Sequence, residues 1–113
     1  MISIKGYEGY YSVSEAGEVV SEDRWVAKGR GMGFLKGKLM TLHDDCDGYK
    51  VVHLYKCGSC KVFRVHRLVA LAYLDNPENK PEVNHFDKDK TNNNDWNLEW
   101  VTHQENIDHK VTY

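Results

Sequence analysis

The stretch VNHFDKDKTNNNDWNLEWVTHQEN, residues 83 to 106, sets one histidine, His85, near its start among six asparagines at positions 84, 92, 93, 94, 97 and 106. An asparagine side-chain oxygen is a neutral hard ligand of the kind that suits Mg2+ or Mn2+. A neutral imidazole can take a proton from water at physiological pH. Hydrolysis of a phosphodiester needs both: charge to stabilise the crowded anionic transition state, and a base to make hydroxide in line with the bond. Amides in place of carboxylates would leave such a site weakly attractive to a cation until a DNA phosphate supplied the missing negative ligand. Taken one at a time these residues say little, because an asparagine-rich loop is ordinarily turn chemistry, with side chains bonded to nearby backbone.

The elements that must hold this set can be read from the pattern around it. Val83 to Phe86 is a short strand, Asp87 to Asp95 a polar loop and NLEWV a second strand. Thr102 and Glu105 then have the spacing of a capping box, which predicts a helix from about His103 to Lys110. Upstream, HRLVALAYLDNP (66–77) is a buried helix, apolar at helical spacing and stopped by Asn76-Pro77. YYSVSEAGEVVS (10–21) reads as two strands around a Ser-Glu-Ala-Gly turn, and GYKVVHLYKCGSCKVFRV (48–65) as a hairpin bent at Gly-Ser. The four glycines of RWVAKGRGMGFLKGKLM (24–40) suggest a flexible loop leading into a strand near Phe34. The expected class is α+β, with an antiparallel β-rich N-terminal part followed by helix, strands and helix.

At 113 residues the chain is long enough for one modest core, 1–113 as a single compact domain. No membrane span and no leader are visible, so a soluble cytoplasmic protein is expected, in the host cell if phage-encoded. The net charge of −2 is unevenly spread. Residues 24–74 carry ten Lys and Arg against three acids, while both ends are acidic. A basic middle could lay a positive face on a polyanion, or its lysines could alternate outward on solvated strands. Cys46, Cys57 and Cys60 read as reduced thiols. Cys57-Gly-Ser-Cys60 is half of a zinc ribbon, but no second such pair exists, so structural zinc is not expected.

FRVHRLVALAYLDNPENKPEVNHFDKDKTNNNDWNLEWVTHQENI (63–107) resembles the HNH endonucleases of bacteriophages and mobile introns, in which a ββα-metal motif runs from V-H-R-L-V-A through N/D-H and N-L-x-W-V-T to a final E-N. KGYEGYYSVSEAGEVVS (5–21) is similar to the NUMOD4-like module often fused to them. The resemblance implies a metal-dependent DNA endonuclease with one Mg2+ or Mn2+ per site. It implies His85 as general base, Asn84 and Asn106 as metal ligands, and Asn97 as the residue that positions the base or the scissile phosphate. Asn84 often appears as Asp in relatives. Asn92 and Asn93 match a loop pair read as structural. The implied division is an N-terminal module over 1–23, a DNA-contacting basic loop and hairpin over 24–62, and the HNH motif over 63–113. Double-stranded DNA is the expected partner, gripped by Arg24, Lys28, Arg30, Lys36, Lys38, Lys50, Lys61 and Arg64, with a monomer nicking one strand.

Two other classes fit parts of the same sequence. A DNA-binding module or regulator that has lost catalysis would account for Asn84 and its acidic surroundings. A zinc-stabilised interaction domain would account for the cysteines. His66 opens the apolar helix as a buried hydrogen-bonding partner or cap, and His43, His53, His103 and His109 have no constellation that asks more than surface roles.

Overall fold

Antiparallel strands fill the chain as far as Arg64 and helices come only after them, as the distribution of β-branched and aromatic residues predicts. The computed structural model describes residues 1–111, and the side chains of all of these except 26–28 and 108–111. The strands are Ile2–Ser3 (β1), Tyr11–Val13 (β2), Val19–Ser21 (β3), Arg24–Lys28 (β4), Gly31–Leu35 (β5), His43–Asp44 (β6), Lys50–Lys56 (β7) and Ser59–Arg64 (β8). The helix Val65–Tyr73 (α1) follows, then Glu82–His85 (β9), a 3-10 turn at Asp95–Asn97, Leu98–Val101 (β10) and the helix His103–Val111 (α2). The class is α+β, as expected.

The first sheet has the order β1-β2-β3. Ser14 accepts bonds from the amides of Ala16 and Glu18 at 3.3 and 2.9 Å and so shapes the turn between β2 and β3. Downstream the expected loop is a two-stranded ribbon: β4 pairs with β5 in the register Trp25↔Phe34, and those two rings meet edge to face at 5.3 Å. Its glycines misled the sequence reading for a physical reason. Gly29, at φ +60°, makes the tight turn, while Gly31 and Gly33 sit within the strand opposite Lys28 and Val26. The next hairpin, β7 with β8, turns at Cys57-Gly58 rather than Gly-Ser, with φ of 51° and 78° at the two positions. The C-x-x-C spacing is therefore two residues of turn and two of strand.

One apolar cluster joins the two halves of the chain. Val13 and Val19 from the first sheet, Val52 and Leu54 from β7, Val65, Leu68 and Val69 from α1, and Leu98 from β10 are all in it. Each such aliphatic side chain, fully buried, is worth roughly 1.5 to 3 kcal/mol of transfer free energy. α1 ends at Tyr73, a little before the Asn-Pro expected to stop it. Beyond it β9, β10 and α2 form a ββα unit. The strands pair as Leu98↔His85, Glu99↔Asn84, Trp100↔Val83 and Val101↔Glu82. α2 opens with the capping box that the sequence predicts: Thr102 Oγ1 accepts the Glu105 amide at 3.1 Å, and Glu105 accepts the Thr102 amide at 3.0 Å.

Candidate active site

β9 ends on Asn84 and His85, and α2 brings Asn106 back to the same place. All three line one cleft of about 350 Å³, together with Tyr49, Lys88 and Lys90. The His85 side chain is buried, with its ring tilted against His66 at 5.0 Å and Tyr49 at 6.0 Å. Nε2 lies 2.9 Å from Asn93 Oδ1. An amide oxygen can only accept, so this bond puts the imidazole proton on Nε2 and the lone pair on Nδ1.

Asn84 and Asn106 are each tied to a carboxylate. Asn84 Nδ2 donates to Glu99 Oε1 at 3.1 Å, across the β9–β10 pair, and Asn106 Nδ2 donates to Glu82 Oε1 at 2.8 Å. Glu82 also meets His103 Nδ1 at 2.7 Å, so one β9 side chain holds the first turns of α2 in two places. Among the described residues no cluster of three His, Cys, Asp or Glu could hold a metal ion by itself. The donor set at the cleft is two neutral amide oxygens, which fits a hard, oxygen-seeking divalent cation completed by an anionic ligand from outside the chain.

Asn97 does not line the cleft. It is fully buried, and its Nδ2 donates to Asp87 Oδ1 and to the Asn92 carbonyl, each at 2.9 Å, while its Oδ1 accepts the Asp87 amide at 3.2 Å. It clasps the two ends of the loop that follows His85. Asp87 is spent in the same clasp: Asn92, the Asp89 amide and Asn97 all donate to it and hold its carboxyl below the ordinary carboxylate range. His66 is buried as expected, but Arg64 and not His66 sits at the N-cap of α1, and His66 Nδ1 is enclosed without a hydrogen-bond partner. Burial first, then the charge of its neighbours, pushes its pKa down to about 3.

Comparison with known proteins bears on this arrangement directly. Residues 2–55 match the NUMOD4 motif, and residues 63–107 match the family described as HNH endonuclease. Residues 63–107 belong to the HNH endonuclease family. The chain is 38% identical over 109 residues to DNA endonuclease I-HmuI of Bacillus phage SP01, an alignment covering 96% of this chain and 56% of that protein. It is 40% identical over 93 residues to an uncharacterized HNH endonuclease of Acanthamoeba polyphaga mimivirus, covering 82% of this chain and 27% of the relative. A solved structure concerned with DNA binding and cleavage by the HNH homing endonuclease I-HmuI superposes with a TM-score of 0.79 at 38% identity, over 97% of this chain and 56% of that one. This chain thus spans a little over half the length of the phage relative.

Of the basic residues singled out from sequence, none with a described side chain lines the cleft, although Arg64 stacks on the cleft residue Tyr49 at 4.7 Å. Arg30, Lys36, Lys38 and Lys61 are exposed, and the side chain of Lys28 lies outside the described residues. Arg24 stacks on Tyr10 at 4.6 Å with one guanidinium nitrogen buried and unpartnered. Lys50 pairs with Asp44 at 2.8 Å, and Arg64 with Asp45 and Asp47 at 3.2 and 3.4 Å. The cations at the cleft are Lys88 and Lys90, the latter 4.9 Å from the Tyr49 ring centre and bonded to the Asp47 carbonyl at 2.7 Å. Sequence reasoning passed over them, and over Glu82, Glu99 and Tyr49, and read Asn93 only as shaping the loop, where it also bonds His85. The signal for the lysines was present in their position three and five residues after His85; for the others only pairing across strands and loops reveals a role.

Proposed function

We propose that this chain hydrolyses DNA phosphodiester bonds with the help of Mg2+ or Mn2+, cutting one strand at a time. The observation that carries this reading is the meeting of Asn84, Asn106 and His85 at one cleft, inside a segment of the HNH endonuclease family. A phage relative named as a DNA endonuclease, and a structure concerned with its DNA cleavage, support the choice of substrate.

Asn84 and Asn106 would hold the cation through their side-chain oxygens, and the bound ion would supply charge to the anionic transition state and the leaving oxygen. His85 takes the proton of a water at Nδ1, because Asn93 keeps the other ring proton on Nε2. His66, kept neutral behind the ring by burial, adds no positive charge that would oppose proton uptake by His85. Lys88 and Lys90 lie where a phosphate entering the cleft would meet positive charge. Asn97 acts at one remove, by clasping the loop that carries Asn93. Arg30, Lys36, Lys38 and Lys61, with Arg24, Lys28, Lys50 and Arg64, are the proposed grip on the duplex outside the cleft, the last two in competition with their aspartates. A single site on a monomer in the cytoplasm gives nicks with 3′-hydroxyl and 5′-phosphate ends.

Supercoiled plasmid incubated with the protein and Mg2+ or Mn2+ should relax to the open circle, and EDTA should stop it. Open circles formed at an undiminished rate in EDTA would contradict the metal-dependent reading.

A further inference from the structure

We propose that Glu99 and Glu82 are positioning residues that turn the amide oxygens of Asn84 and Asn106 toward the cleft, and that asparagine at position 84 is matched to glutamate at position 99. The inference rests on the reading of the cleft as a cation-binding nuclease site and deepens it. An asparagine amide is nearly symmetric in shape, and either its oxygen or its NH2 group can face a given direction. A carboxylate has acceptors only, so an asparagine 3.1 Å from Glu99 or 2.8 Å from Glu82 must present NH2 to it. The oxygen then lies on the opposite side of the amide carbon. Because Glu99 stands directly across from Asn84 in the β9–β10 register, this orientation is built into the sheet. Glu82 does the same for the helix, since its second oxygen holds His103. A charged acceptor on the NH2 group also draws electron density onto the amide oxygen, which makes a neutral ligand a better one.

The matching has a consequence that separates it from a merely structural bond. An aspartate at position 84 would add a charge for the cation, but would set one carboxylate oxygen about 3 Å from another, a repulsion that turns the new side chain away. A glutamine at position 99 would remove that repulsion and could offer its NH2 group to the new carboxylate.

The test is Mn2+ binding to the DNA-free protein, read by loss of the free-ion electron paramagnetic resonance signal, in the parent, Asn84→Asp, Glu99→Gln and the double variant Asn84→Asp/Glu99→Gln. The double variant should bind at least about tenfold more tightly than Asn84→Asp alone, the size of effect expected of partners that orient a ligand. Equal affinity of the single and double variants would overturn the proposal, and so would failure of every variant to bind. Should Asn84→Asp not fold, exchange of the Asn84 side-chain NH2 protons with solvent decides: it should be faster in Glu99→Gln than in the parent, and an unchanged rate would overturn the pairing. Neither readout uses cleavage. A tighter double variant beside a parent that does not nick would therefore leave the pairing standing and remove the nuclease reading.

Discussion

His85 sits on the last position of β9, where nothing in the strand itself fixes its ring; Asn93, eight residues on, does that through a 2.9 Å bond to Nε2. Replacing Asn93 with leucine removes the acceptor that selects the tautomer and leaves a buried N–H unsatisfied. The nicking rate should fall by roughly 10- to 100-fold while DNA affinity holds; a rate equal to the parent's in a plasmid assay would show that Asn93 does not orient the base. This residue was not legible in the sequence. Asn92, Asn93 and Asn94 are identical neighbours, and only their partners distinguish them: Asn92 donates to Asp87, Asn94 to Asn92, and Asn93 alone reaches the histidine. By contrast Asn84, His85 and Asn106 could be picked out by their order along a strand and the first turns of a helix, and they do line one cleft. Asn97, equally visible by spacing, bonds to Asp87 and to the Asn92 carbonyl.

At the scale of elements, α1 carries a cost that its apolar pattern conceals. His66 faces inward among Tyr49, His85 and the core, with its pKa lowered from the ordinary 6.5 to about 3. Between those values the unfolded chain takes up a proton that the folded chain refuses. The stabilisation is therefore fully present above pH 6.5 and is lost as the pH falls below it, by up to about 1.4 kcal/mol for each pH unit. Urea unfolding from pH 7.5 down to 4.5 should show this decline, and His66→Phe should flatten it; an equally steep decline in the variant would place the titrating group elsewhere. Element boundaries followed from local chemistry wherever that chemistry was unambiguous, as in the Thr102–Glu105 capping box and the Val52–Leu54 alternation of β7. They failed in the β4–β5 ribbon because Gly31 and Gly33 look like loop residues until a strand is set beside them, and the Trp25–Phe34 contact that holds the ribbon is made across nine positions of sequence.

Across the whole molecule, the N-terminal sheet is a support for the loop that follows His85 as well as a neighbour to it. The Glu15 backbone carbonyl accepts the Asp95 amide at 2.8 Å, and Tyr73 on α1 donates to the Val13 carbonyl at 2.8 Å. Gly17, at φ +87°, lies so close to the loop that an added Cβ would come within 2.9 Å of Asn93 Cβ. Gly17→Ala should therefore destabilise the fold by about 1 to 3 kcal/mol and also slow nicking by displacing Asn93. Gly6→Ala is the control, since Gly6 has the same φ of +87° but nothing within 4 Å of the new carbon. Equal nicking by the two variants under conditions where both are folded would show that the sheet does not set the position of the loop. Whether His85 acts as the base of a nuclease site assembled by β9, β10 and α2 is decided by the single-turnover nicking rate of His85→Ala, measured beside its affinity for the same DNA. The rate should drop by about 10²- to 10⁴-fold with affinity nearly unchanged; a variant that nicks as fast as the parent would contradict the account.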